Sequence, residues 1–131
     1  MLTGQQQQNQ QQAPSVETEK NDHGTAIGSL LLGSKEKDII GLIAKAIIYS
    51  AAIFRKNNSG TTAEFILSAL DWLADENIKI INMSLGGPRN LPVEFALKRL
   101  TARGFTIVSA AGVDNNKKPL YPAVQDDVIT T

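Results

Sequence analysis

His23 is the chain's one histidine, and it stands in the run Asp22-His23-Gly24-Thr25. An imidazole is the side chain best suited to take and return a proton near neutral pH. For covalent catalysis it would need a nucleophile within reach and a third group to orient it. Two other stretches offer bare backbone instead of reactive groups. Ile78 to Met83 is a short apolar run that ends beyond Leu85 in Gly86-Gly87-Pro88, and Phe105 to Ala110 is a second that closes on Ala111-Gly112. Missing side chains at such ends let another backbone approach closely. On the residues alone each feature also has a plainer reading. His23 could be a structural or solvated group, Gly86-Gly87 an ordinary strand-to-loop turn, and Ala110, Ala111 and Gly112 core packing that ends in a turn. Ser84 and Ser109 lie inside the two apolar runs and read as packing residues.

The elements that would position these groups alternate strand and helix, the signature of an α/β fold with a parallel sheet covered by helices. In such sheets ligands bind at the carboxyl ends of the strands. A first helix is expected from about Gly24 to Leu32, with Asp22 as N-cap and Gly33 as the stop. Ala26, Ile27, Leu30 and Leu31 form its apolar stripe, and Gly28 would allow tight packing on a neighbour. Ser34 to Asp38 reads as a polar loop. Gly41 marks a turn, and Ala44 to Phe54 reads as a buried strand. Arg55 to Gly60 is rich in turn formers. Ser59 or Thr61 could cap the next helix, with Glu64 as capping-box partner. Ile66, Ala69, Leu70 and Leu73 give that helix its core stripe up to about Glu76. After the Ile78–Met83 strand, a helix beginning at Pro92 repeats the stripe with Val93, Ala96, Leu97 and Leu100. Lys98, Arg99 and Arg103 take its outer face and Gly104 its C-terminal cap. Asp114 to Pro119 reads as a polar loop, and another strand starts at Val128.

Composition narrows the function. With 13 basic and 13 acidic residues the chain shows no electrostatic footprint for nucleic acid or an anionic membrane. Cysteine is absent, which excludes a disulfide scaffold, a zinc–thiolate site and a thiol nucleophile. No apolar run approaches the roughly 20 residues that span a bilayer. The N-terminus has neither the basic nor the apolar region of a signal peptide. No acidic cluster suggests a metal site and no cofactor is implied; no Gly-x-Gly-x-x-Gly or phosphate loop follows a strand, which argues against a nucleotide-binding domain. Residues 1–21, with glutamine dominating Gln5 to Gln12, have too little to bury and are expected to form a disordered lead-in to a domain over 22–131.

Three segments together resemble one family, the subtilisin-like serine proteases. Asp22-His23-Gly24-Thr25 is similar to the family's histidine motif. Ile81 to Pro88 resembles its central substrate-binding strand nearly letter for letter. Val108-Ser109-Ala110-Ala111-Gly112, followed by Tyr121-Pro122-Ala123, resembles the other wall of its specificity pocket. The resemblance covers residues 22–131 and implies a three-layer αβα core that acts on polypeptide substrates outside the cytoplasm. It implies His23 as general base, Leu85-Gly86-Gly87 as a strand edge for extended substrate, and Ala110, Ala111 and Gly112 as the lining of a pocket roomy enough for a sizeable apolar side chain.

The chain departs from the family pattern in ways that bear on activity. The triad aspartate belongs in an Asp-Thr/Ser-Gly motif well before the histidine, and the nucleophile in a Gly-Thr-Ser motif well after Tyr-Pro-Ala. Neither is in the sequence. Asp22 adjoins His23 and is poorly placed to hold the far ring nitrogen. Val113 stands where the family has an oxyanion-binding asparagine; removing that donor in a subtilisin costs about 10²–10³-fold in turnover. The expectation is therefore a subtilisin-like core truncated at both ends, inactive as this chain alone. It would be either a piece of a longer product or a degenerate copy. The alternative is a non-catalytic peptide-binding remnant that uses the Leu85–Gly87 edge.

Overall fold

The computed structural model describes residues 22–34, 38–54 and 60–131, with only the backbone at Asp22. The lead-in expected over 1–21, the capping role considered for Ser59 and most of the loops at 34–38 and 55–60 lie outside the described residues. The chain falls into two compact units divided between Gly60 and Thr61.

In the first unit helix α1 spans Asp22–Leu32, so Asp22 belongs to its first turn and does not precede it as a cap. Gly33 ends the helix with φ +79°, a conformation that glycine adopts without steric cost. A pair of short strands comes next, where the sequence suggested only a polar loop. These are β1 (Gly33–Ser34) and β2 (Ile39–Ile40), antiparallel with Gly33 opposite Ile40. The returning chain then closes the end of α1. Leu42 and Ile43 donate their N–H groups to the carbonyls of Leu30 and Leu31 at 3.1 and 2.8 Å, which satisfies acceptors the helix end leaves open. Gly33 and Gly41 make this possible. A methyl group on Gly41 would run into the backbone of Leu31, Leu32 and Gly33, and one on Gly33 into that of Ile39 and Gly41.

Three expectations for this unit are corrected. Residues 44–54 form no strand: Ala46 N–H closes a turn on the Ile43 carbonyl at 2.8 Å, and residues 42–47 are exposed. An apolar run specifies burial only where a neighbouring strand meets it, and the turn after Gly41 redirects this one. No described residue lies within 4 Å of a methyl group built on Gly28, so the tight packing expected there is not found among the described residues. The α1 stripe is half-buried at Ile27 and Leu31, whereas Ala26 is exposed and Leu30 is 63% exposed.

The second unit matches the sequence pattern closely. Helix α2 (Ala63–Asp75) buries Leu70 and Leu73 and half-buries Ile66 and Ala69. Its N-cap is Thr62, one position after the expected Thr61, and the Thr62 side chain makes no capping bond. It ends at Asn77, φ 56°, where Asn77 and Ile78 N–H groups return to the Ala74 and Leu73 carbonyls. Strand β3 (Ile80–Met83) comes next, then helix α3 (Leu91–Ala102). Asn90 caps α3 by accepting from Val93 N–H at 3.2 Å, and Pro92 sits in the first turn. Gly104, φ 80°, and Phe105 close its other end on Thr101 and Leu100. Strands β4 (Thr106–Ser109) and β5 (Val128–Thr130) complete a three-stranded parallel sheet in the order β3-β4-β5. Burial alternates along it. Ile81, Met83, Ile107 and Val128 are buried with Val93, Leu97 and Leu100 of α3, while Ile80 and Ile129 face outward.

The glycine environments set up opposite outcomes for one chemical change. Gly28→Ala should stabilise the first unit by about 0.5–1 kcal/mol, because alanine is the better helix former and no described residue obstructs it. Gly41→Ala should separate the two chain segments and accelerate hydrogen exchange at Leu42 and Ile43. Amide exchange read residue by residue checks both. Unchanged protection at Leu42 and Ile43 in Gly41→Ala would contradict the close approach.

Candidate functional site

β3 and β4 run side by side with Met83 opposite Ser109, so both chains leave the sheet at the same edge. The ladder reaches slightly further, with Ala110 N–H donating to the Met83 carbonyl at 3.4 Å. Ser109 is fully buried and its Oγ donates to the same carbonyl at 3.3 Å. Ser84 Oγ accepts from Asn82 Nδ2 at 2.8 Å. Both hydroxyls are thus engaged in local structure, as packing residues would be.

Beyond the sheet edge the two glycine-bearing ends meet a third segment. Gly87 forms an antiparallel bridge with Tyr121. Its N–H donates to the Tyr121 carbonyl at 2.9 Å, and Tyr121 N–H donates back at 3.1 Å. Leu120 N–H donates to the Ala111 carbonyl at 3.0 Å, and Ala111 N–H to the Thr131 carbonyl at 2.9 Å. The backbone groups of Leu85 and Gly86 have no hydrogen-bond partner among the described residues. The open edge is therefore Leu85–Gly86, and Gly87 is held from behind.

Glu94 fastens these segments to α3. Its carboxylate accepts from Arg89 Nε at 2.7 Å, Arg89 Nη2 at 3.2 Å and Lys98 Nζ at 3.0 Å. The Arg89 guanidinium also stands over the Tyr121 ring, 5.8 Å from its centre. Gln125 Nε2 donates to the Glu94 carbonyl at 3.3 Å, while its buried Oε1 has no partner among the described residues. Hydrogen bonds from Arg89 and then Lys98 hold the Glu94 carboxyl at about 2, below its ordinary 4.5. The Asp114–Lys118 loop closes on itself, with Asp114 Oδ1 accepting from Asn116 and Lys118 N–H at 2.8 Å each.

Among the sequence-predicted residues, Leu85, Gly86, Gly87, Ala110, Ala111 and Gly112 all lie at this one edge of the second unit. His23 lies in the first unit, exposed in the first turn of α1. Val113 is 64% exposed just after Gly112. Sequence reasoning missed Leu120, Arg89 and Glu94. Their contacts join loops far apart in the chain, and no periodicity marks them.

A sequence model of the subtilase family, Peptidase S8, matches residues 3–131. The chain belongs to the subtilase family. It is 30% identical over 121 residues to subtilisin DY of Bacillus licheniformis, covering 88% of this chain and 44% of that protein. Among solved structures, sphericase superposes with a TM-score of 0.61 at 25% identity, over 75% of this chain and 34% of the other. The prenylagaramide maturation protease PagA shares the fold with a TM-score of 0.68 at 17% identity, over 79% of this chain and 39% of the other. The chain spans less than half the length of these relatives. Its α/β fold with a parallel sheet is part of the subtilisin-like core. No helix among the described residues is long and apolar enough to cross a membrane.

The depressed Glu94 carboxyl has a definite consequence. A folded-state pKa below the unfolded value adds stability above about 4.5, and that contribution is lost as pH falls toward about 2. Wild type should exceed Glu94→Gln in stability near neutral pH, and the gap should close across that window. Urea unfolding at several pH values measures it, and a gap independent of pH would contradict the role given to the carboxylate.

Proposed function

We propose that this chain is the histidine-bearing part of a subtilisin-like serine endopeptidase, a hydrolase that cleaves polypeptide substrates. Residues 22–131 would form one partial peptidase domain preceded by the 1–21 segment. The family match, which runs through both units, supports this. His23 is the proposed general base. Leu85 and Gly86 would pair with an extended substrate, with Gly87 shaping the edge, and Ala110, Ala111 and Gly112 would line the pocket for the side chain before the scissile bond.

The observation that carries the proposal is the unpaired backbone of Leu85 and Gly86 beside the end of β4, at the carboxyl edge of a parallel sheet. Extended peptides bind such an edge through main-chain bonds. The reading of the site as a non-catalytic remnant gains no support from the comparisons, whose named relatives are proteases.

Two measurements on the 131-residue chain test the proposal. An extended apolar peptide should shift the Leu85, Gly86 and Ala111 amide resonances saturably, and a flat response at roughly 1 mM peptide would reject the cleft. A fluorophosphonate should label no serine, since the Ser84 and Ser109 hydroxyls are held in local structure. A covalent adduct at either would overturn the assignment of both as packing residues.

A further inference from the structure

The backbone groups of Leu85 and Gly86 sit on a segment with little of its own to hold it. Strand β3 ends at Met83 and helix α3 begins at Leu91. Between them the first backbone anchor is Gly87, bonded to Tyr121 in both directions. Leu120, beside Tyr121, rests on the same edge. A methyl group built on Gly86 would meet its Cβ at 3.1 Å, and one built on Gly112 would meet its Cδ1 at 3.2 Å. A shift of the Tyr121 segment is therefore passed on to Gly86. Arg89 follows Gly87 across Pro88, whose ring fixes its own φ, so a shift of Arg89 is passed on as well. Both segments are tied to Glu94 on α3. The Arg89 guanidinium joins the Glu94 carboxylate, at 2.7 and 3.2 Å, to the Tyr121 ring, and Gln125 Nε2 reaches the Glu94 carbonyl.

We propose that Glu94 is a positioning residue for peptide binding: acting through Arg89, it holds the Gly87–Tyr121 bridge in place and so presents the Leu85 and Gly86 backbone groups in a fixed line to an extended substrate. The inference rests on the proposed peptide-binding reading, and neither Glu94 nor Arg89 needs to touch the peptide. An edge already set in its bound conformation loses less freedom when a strand is added to it. The planar fork of arginine suits the task. Two parallel bonds fix its orientation on the carboxylate, and its flat face lies over the tyrosine ring. Lys98 supplies an internal control. It bonds the same carboxylate from one turn further along α3, so its ion pair stays within the helix.

The test uses acetyl-tetraalanine amide, an uncharged extended peptide that has no direct attraction to the ions. It is titrated into the isotopically labelled 131-residue chain, and hydrogen exchange at the Gly87 and Tyr121 amides is read in the same samples. Glu94→Gln and Arg89→Gln should each weaken binding about tenfold and speed exchange at both amides. The double variant should lose no more than either alone, because the two side chains act as one unit. Lys98→Gln should leave affinity and exchange at the bridge unchanged. The dispersion of the remaining amides shows which variants are folded, and if Glu94→Gln is not, the exposed Arg89→Gln carries the comparison with Lys98→Gln. Wild-type affinity in folded Arg89→Gln, or an equal loss in Lys98→Gln, would overturn the positioning role and leave the peptide cleft standing. Absence of binding to wild type and to every variant would overturn the cleft and this inference with it.

Discussion

The parallel pairing of β3 with β4, Met83 opposite Ser109, is the constraint on which the second unit depends. Strands that run the same way leave the sheet at the same edge, so the segments after them are brought together without any contact of their own. Leu85-Gly86-Gly87 is the segment after β3, and Ala110-Ala111-Gly112 is the segment after β4. The register is enforced by burial. Ile81 and Met83 alternate inward on β3, and Ile107 and Ser109 on β4. A slip by one residue would turn every one of these side chains to the opposite face. Helix α3 locks the arrangement from one side through Val93, Leu97 and Leu100.

The forces that build the edge differ from those that fold the unit. Leu97 and Ile107 are fully buried, and burial of such side chains is worth roughly 1.5–3 kcal/mol each. The ion pairs around Glu94 cannot compete with that. The Arg89 and Lys98 side chains are 57% and 49% exposed, so solvent screens both pairs although Glu94 itself is only 9% exposed. Their role is geometric. Glu94 sits where the chain beyond β3, the first turn of α3 and the Tyr121–Gln125 segment converge, and its carboxylate and carbonyl together hold all three. The hydrophobic core sets that the edge exists, and this polar junction sets its shape.

Much of this was legible in the residues, for reasons that can be named. The stripes of α2 and α3, the Gly104 end of α3 and the three apolar strands arise from local periodicity and capping, and the sheet confirms them. The first unit was less legible. Ala44 to Phe54 has the composition of a buried strand, yet composition cannot say whether a partner strand arrives. The close approach of Gly33 to Gly41 and the short β1–β2 pair left no mark in the residues, because each depends on where a turn sends the chain. At the candidate site, the glycines announced a place for close approach without saying what approaches. Leu120, eight positions beyond Gly112, looks like an ordinary loop leucine until the fold carries it between the two strand ends.

One leucine occupying the space between those ends is the central claim. Nuclear Overhauser contacts in a chain with methyl-labelled leucines measure it directly. Contacts are predicted from the Leu120 methyl protons to the α-protons of both Gly86 and Gly112. A Leu120 whose methyl groups contact neither glycine, with the β3–β4 ladder intact, would contradict it.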